Sequence, residues 1–300
     1  MHRPFSNSAG KKLLAEVRQV FRAKKIYFSL ASHFIFICGG TKRTSFRSRF
    51  LTYLKNKKVD LNIFRAEDAV DNLLTHNVPE FVNLAEFEDL IGSIFDCILI
   101  FPESPGSIAE LGFFANSIVL QKKILVANDI DLQGDSFINL GPVALVESRS
   151  VYRPTVYLDS KNPDFDKVLQ PLLRYRDKRK YRDGFSYGKY KDLSIRGKYA
   201  VVFQLIRIFN GIDLEGLIRC LQFIFGGADE NEVRRFLSIL HAAGFIKRIG
   251  NNSDHFTVAE LDIALLDIEH VDLDSLAARA LHYFQVHDPA IYDIATGVSR

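Results

Sequence analysis

Three hundred residues, 47% of them hydrophobic, suffice to bury a sizeable core and to divide into two domains. A formal net charge of +3 excludes a polycation, so any nucleic-acid contact has to come from a local patch. The three cysteines, Cys38, Cys97 and Cys220, stand far apart and the eight histidines are scattered, which argues against a disulfide framework or a metal site and for core thiols in a reducing compartment.

The polar N-terminus shows no signal-peptide pattern, and the apolar runs at 34–38 and 97–101 are far too short to span a bilayer. The expectation is a soluble cytoplasmic protein without membrane contact. Residues 11–23 place Leu13, Leu14, Val17, Val20 and Phe21 at helical spacing between basic residues, an amphipathic helix lying on a domain or against a partner. Residues 34–38 read as the first buried strand. Gly39, Gly40 and Thr41 follow, and Thr44-Ser45 can cap a helix running to about Leu54. A strand–Gly-Gly–helix junction lets backbone N–H groups approach a phosphate or ribose, although it is neither a P-loop nor GxGxxG.

A second strand at 61–64 ends in Arg65-Ala66-Glu67-Asp68, two adjacent carboxylates where an α/β sheet would place a site; Asp68 can equally cap the next short helix, 69–74. Residues 83–95 carry Leu84, Phe87, Leu90, Ile91 and Ile94 on one helical face. Asp96 then begins the central strand, 97–101. Pro102, Pro105 and Gly106 break it, and a helix restarts at Ser107, where Ser107-x-x-Glu110 has capping-box spacing. Glu110 therefore has two readings: a helix cap, or a carboxylate facing a ligand at the carboxyl end of a strand. A strand at 123–127 ends at Asn128-Asp129, residues 136–142 form a loop, and 143–146 and 155–158 supply short strands before a helix at 164–175. The β-α alternation implies a doubly wound, mostly parallel sheet.

Between 174 and 198 the cations Arg174, Arg176, Lys178, Arg179, Lys180, Arg182, Lys189, Lys191, Arg196 and Lys198 interleave with Tyr175, Tyr181, Phe185, Tyr187 and Tyr190. That pattern suits single-stranded nucleic acid, or a linker whose aromatics dock on a neighbouring domain. From Tyr199 a helical domain begins: helices at 200–209 and 214–225, a Gly226-Gly227 turn, a third helix capped by Asp229, then a hairpin over 245–258. Three helices and a hairpin read as a winged helix-turn-helix. Its third helix offers Arg234 and Arg235 beside Glu230 and Glu232, a poor groove reader by charge. Residues 261–285 read as helical, and the tail from His287 as ordered only if something holds it.

The stretch Phe-Pro-Glu-Ser-Pro-Gly-Ser-x-x-Glu-Leu-Gly at 101–112 resembles the nucleoside deoxyribosyltransferase-like effectors encoded in retrons. So do Cys38-Gly39-Gly40, Glu67-Asp68 and Ser136-Phe137-Ile138-Asn139-x-Gly-Pro, and the order and spacing match over 34–146, with the winged helix behind. The resemblance implies an α/β, doubly wound Rossmann-like domain at 34–172, preceded by an N-terminal helical segment (1–33). A basic linker (173–198), a winged helix-turn-helix domain (199–286) and a tail (287–300) follow. It further implies an N-glycosidase, the toxic effector of an antiphage system, acting on NAD or another nucleotide, with NAD as substrate and no cofactor or metal. Its implied partners are a reverse transcriptase and multicopy single-stranded DNA with its linked RNA, and it allows a higher-order oligomer. The implied catalytic residues are Glu110, at the anomeric carbon, with Asp68 and Glu67 beside it. Substrate contacts fall to Cys38, Gly39, Gly40, Ser104, Gly106, Ser107 and Asn139. The residues alone leave two other readings open, a nucleotide sensor without turnover and a winged-helix nucleic-acid-binding regulator.

Overall fold

The computed structural model describes residues 4–22, 25–29, 33–59, 61–65, 90, 92–178, 184–249, 255–259 and 263–297. These fall into two compact units, one formed by described residues of 4–29 and 184–297, the other by those of 33–178. The first unit begins with helix α1 (Ser8–Arg22), which buries Leu13, Leu14, Val17, Val20 and Phe21 along one stripe, and strand β1 (Ile26–Phe28).

The second unit is a mixed α/β layer structure. In chain order it contains β2 (Phe34–Cys38), α2 (Phe46–Lys57), β3 (Asn62–Arg65), β4 (Cys97–Ile100), α3 (Pro105–Asn116), β5 (Ile124–Asp129), α4 (Ala144–Arg149), β6 (Val156–Leu158) and α5 (Asp166–Lys178). The five strands form one parallel sheet in the order β3-β2-β4-β5-β6. Every residue of β2 and β4 is buried, as expected for parallel strands covered on both faces. Alternation sends Ile35 and Ile37 into a core with Phe50, Leu54, Leu99, Leu125, Leu169 and Leu172. Phe36 turns the other way, 5.9 Å from the Phe95 ring and 6.0 Å from that of Phe114. The chain leaves β2 for one neighbour, β3, and returns to the other, β4. The order therefore reverses between β2 and β4, and the carboxyl ends of strands at such a reversal are the place where such sheets bind ligands.

Residues 143–146 are not a strand: a π-helical turn, Asn139–Val143, runs directly into α4. Val143 and Val146 are buried while Leu145 is 45% exposed, a spacing of three that belongs to a helix and not to a strand. The helix expected to begin at Ser107 begins at Pro105 and ends at Asn116. Of the helix expected at 83–95, Leu90 and residues 92–94 are helical and the rest lies outside the described residues, apart from Phe95, which is not helical.

The first unit resumes with α6 (Ile195–Ile208), β7 (Ile212–Asp213), α7 (Leu214–Phe225), α8 (Glu230–Ala242), β8 (Ile246–Ile249), β9 (His255–Val258), β10 (Leu266–Ile268), α9 (Leu273–His287) and α10 (Pro289–Thr296). Ser194, Asp213 and Asp229 each accept a hydrogen bond from a first-turn amide of the helix they precede. Strands β7, β9 and β8 make a small antiparallel sheet. The stretch 261–285 is not helical throughout, because β10 pairs antiparallel with β1, Ile268 opposite Ile26. The tail is held: Asn210 donates to the Ala295 carbonyl at 3.3 Å, and Gly211 at φ +92° lets α10 approach so closely that a Cβ would lie 3.2 Å from that of Ala295. Among the described residues no helix is long and apolar enough to cross a membrane.

Candidate functional site

The carboxyl edge of the parallel sheet is organised by a residue the sequence reading did not single out. Glu103 follows β4, and its carboxylate accepts hydrogen bonds from the backbone N–H groups of Gly40 at 3.0 Å, Phe46 at 2.6 Å and Arg47 at 3.0 Å. Phe46 and Arg47 are the first two residues of α2, whose open amides and dipole favour an anion. Ser45, the N-cap, accepts from Ser48 N–H and donates to the Gly40 carbonyl at 2.8 Å. Buried Arg47 donates from Nε to the same carbonyl at 3.1 Å. The Gly39-Gly40 turn expected to receive a phosphate or ribose oxygen thus already receives a carboxylate of the chain itself. Gly39 is required for the close approach: a Cβ there would sit 2.7 Å from Arg47 Cβ and 3.0 Å from Glu103 Oε1. Nothing local announces this role, because the donors lie 57 and 63 residues before Glu103 in the chain.

The next turn settles one of the two readings of Glu110. Ser104, not Ser107, is the N-cap of α3, Pro105 follows it, and Ser107 closes the capping box. Ser104 Oγ accepts from Ser107 N–H at 3.2 Å, while Ser107 Oγ accepts from Ser104 N–H at 3.0 Å and Glu103 N–H at 3.2 Å. Ser104 and Ser107 are therefore bonded to each other, and Ser107 is buried. Glu110 stands half-buried in the second turn and takes no part in the cap. Gly106 is exposed in the first turn, and its N–H is not used by the capping box.

Beside Glu103 a cavity of about 240 Å³ opens over the ends of β4 and β5, lined among others by Thr44, Arg49, Pro102, Asn128, Asp129 and Ser160. Arg49 closes one side by donating to the Ser160 carbonyl at 2.6 Å. Asn139 has its side chain fully engaged: Nδ2 donates to the carbonyls of Leu132 at 2.6 Å and Gly134 at 2.7 Å, and Oδ1 accepts from Asn128 Nδ2 at 3.3 Å. It fastens the loop after β5 to the strand's end. Cys38 is buried in the sheet, so at that position only the backbone can face the carboxyl edge. Glu67 and Asp68 lie outside the described residues. Glu110 does not line the cavity beside Glu103.

At the opposite, amino-terminal edge Asp96 and Tyr152 are buried. Asp96 Oδ2 accepts from Phe34 N–H at 3.1 Å, and Tyr152 donates to the Asp96 carbonyl at 3.4 Å. Burial pushes the Cys97 thiol and the Tyr152 phenol far above their ordinary values. Among the described residues no cluster of His, Cys, Asp or Glu could hold a metal ion.

The expected nucleic-acid contacts are dispersed. Arg174 lies on α5, with Arg176 and Lys178 on its last turn, while Arg179, Lys180 and Arg182 lie outside the described residues. The aromatics that follow are used for packing: Phe185 and Tyr190 are buried, and Tyr187 donates to the Ile224 carbonyl at 2.5 Å. Lys198 is 4.9 Å from the Tyr190 ring and 3.0 Å from Glu232. On α8, Arg234 pairs with Glu230 at 2.7 Å, one turn back, and Arg235 is half-buried beside it.

With this geometry in place, the likeness to known proteins can be stated. A family model described as STM3845 retron effector protein matches residues 43–248, more than half of the chain and parts of both units. Over 125 residues the chain is 38% identical to an Escherichia coli protein named "Retron Ec86 putative ribosyltransferase/DNA-binding protein". Over 122 residues it is 30% identical to another, "Retron Ec73 putative ribosyltransferase/DNA-binding protein", also from Escherichia coli. These matches take in 40% and 39% of this chain, and about two fifths of the length of each relative. The family match runs from the start of α2 through the Glu103 network to β8, and on that extent the chain belongs to the STM3845 retron effector family.

Proposed function

We propose that this chain is the toxic effector of a retron antiphage system and works as an N-glycosidase on NAD or another nucleotide. In this reading residues 34–172 have a nucleoside deoxyribosyltransferase-like, Rossmann-like fold and 199–286 a winged helix-turn-helix. A reverse transcriptase and multicopy single-stranded DNA with its linked RNA hold it in check. The observation that carries the reading is the completed capping box of α3: Ser104 and Ser107 do the structural work, so Glu110 is not needed for the cap. Glu110 sits on the helix that leaves β4 at the strand-order reversal, where ligands bind in such sheets. The relatives' names, which include ribosyltransferase and DNA-binding, agree with both halves.

The chemistry is as follows. As the ribosyl C–N bond breaks, its electron pair leaves with the base and positive charge develops at the anomeric carbon. The Glu110 carboxylate stabilises that charge or captures the carbon covalently, and water then supplies the hydroxyl of the free sugar and releases a proton. Nicotinamide leaves a cationic linkage as a neutral molecule and needs no proton, whereas a purine needs a general acid. Asp68 or Glu67 holds the sugar hydroxyls or fills that acid role. Because Glu103 occupies the Gly40 and α2 amides, substrate oxygens are held instead by the Gly106 N–H at the start of α3.

The test is a mass-spectrometric search for released base. Wild type and Glu110→Gln are incubated with NAD and a panel of nucleotides, with and without reverse transcriptase and its DNA. Nicotinamide or a nucleobase released by wild type alone is the expected result. No release under any condition from protein that still binds nucleotide overturns the glycosidase in favour of a sensor without turnover.

A further inference from the structure

A second concave surface lies on the same unit, away from Glu103 and Glu110. It is a groove of about 670 Å³ between β6 and α5. One wall is residues 152–157, the approach to β6 and its first residues. The other is a single face of α5, formed by Lys167, Gln170, Pro171 and Arg174 at the i, i+3, i+4, i+7 spacing of one helical stripe. β6 pairs only with β5 among the described strands, so the groove runs along a sheet edge.

Among the described residues its lining contains three cations, Arg153, Lys167 and Arg174, and no carboxylate. Lys167 does meet Asp164, but at 3.9 Å with side chains 63% and 56% exposed, a contact worth little in water. Tyr157, half-buried on the β6 wall, supplies aromatic surface. The Thr155 hydroxyl, on a residue only 7% exposed, has no hydrogen-bond partner among the described residues. Along the chain, Arg174 opens the run Arg176, Lys178, Arg179, Lys180 and Arg182.

We propose that this groove binds single-stranded nucleic acid by its phosphate backbone, with Arg153, Lys167 and Arg174 as phosphate contacts and Tyr157 as a stacking surface. Several cations lining one groove beside an aromatic side chain are what sequence-tolerant single-strand binding needs, and the carboxylate near the β6 wall, Glu147, is engaged by the Thr155 N–H at 3.0 Å. A concave slot of this size takes one strand, whereas a duplex is read by an element that protrudes into its groove. The inference rests on the proposed function in that it locates on this chain a contact for the retron's single strand. Its readout is binding, not base release, so either reading can fail alone.

The experiment uses the full chain and fluorescence anisotropy with a labelled oligothymidine over a series of salt concentrations. The triple variant Arg153→Gln, Lys167→Gln, Arg174→Gln is compared with a control of equal charge loss, Lys55→Gln, Lys122→Gln, Lys161→Gln, all three exposed elsewhere on the unit. Unchanged melting temperatures confirm that both fold. The groove variant is expected to bind at least about tenfold more weakly. Its log affinity against log salt is expected to flatten by about 2, three contacts at roughly 0.7 each. The control keeps the wild-type slope, and Tyr157→Leu weakens binding about fivefold or more where Tyr157→Phe does not. Equal loss in both triple variants, an unchanged slope in the groove variant, or tighter binding of a duplex than of the single strand overturns the proposal.

Discussion

Glu103 and Glu110 belong to one continuous motif and to one strand–turn–helix junction, yet the fold uses them differently. Glu103 lies in the turn and collects three backbone N–H groups from a glycine turn and the start of α2. Glu110 lies on the helix, beyond a cap that Ser104 and Ser107 complete between themselves. Side-chain type and neighbouring sequence do not separate the two carboxylates. What separates them is place: Glu103 meets the open amides at the start of α2, and Glu110 lies outside the α3 cap. A carboxylate with three backbone N–H donors is a structural anion, fixed in place of a ligand.

Substitutions can break that contrast. Glu103→Ala leaves the amides of Gly40, Phe46 and Arg47 without their acceptor and is expected to cost about 3 kcal/mol, given ~1.5–3 kcal/mol for a hydrogen bond to a charged group and partial replacement by water. Urea unfolding measures it, and a cost within 0.5 kcal/mol of zero, on the scale of about ±0.5 kcal/mol for inert surface changes, would contradict the lock. Gly39→Ala presses a Cβ onto Arg47 and Glu103 and is expected to cost about 1–3 kcal/mol, the range for overpacking, by the same assay. Ser104→Ala removes the α3 cap and is expected to cost about 1 kcal/mol, with Ser107→Ala close behind it; a neutral Ser104→Ala would return the capping role to Ser107 and Glu110.

A smaller effect concerns two buried phenols, one in each unit. Burial raises the phenols of Tyr199 and Tyr152 above their ordinary value of 10.0. A raised value means that the folded state holds the proton more tightly than the unfolded chain. The stability from these groups is therefore complete below pH 10 and declines as the pH rises beyond it. Melting temperature against pH should bend downward there, and Tyr199→Phe should soften the bend. A melting curve of the wild type that is flat through that range would contradict it.

Much of the frame is legible in sequence because its signals are local. The apolar run 34–38 is strand β2 to the residue, and 214–225 is α7 to the residue, with Asp213 capping it and Gly226 ending it at φ +74°. What escapes is what depends on distant partners. β1 has three residues and pairs with a strand near the other end of the chain. Residues 143–146 are apolar enough for a strand, and only their burial at a spacing of three reveals the helical turn. Asn139, expected at the substrate, spends every polar atom of its side chain on Asn128, Leu132 and Gly134. The interleaved aromatics after Arg174 satisfy the pattern for base stacking, yet Phe185, Tyr187 and Tyr190 pack within their own unit. In each case the same residue types serve either purpose, and three-dimensional company decides.

The most direct test of the contrast measures Glu103→Gln and Glu110→Gln side by side, reading melting temperature and released base on the same preparations. Glu110→Gln is expected to melt with wild type and to lose base release by about a hundredfold or more, as for a carboxylate acting at the reacting carbon. Glu103→Gln should melt several degrees lower and keep its turnover per folded molecule. A destabilised Glu110→Gln that still releases base, beside a stable Glu103→Gln that does not, would reverse the two assignments.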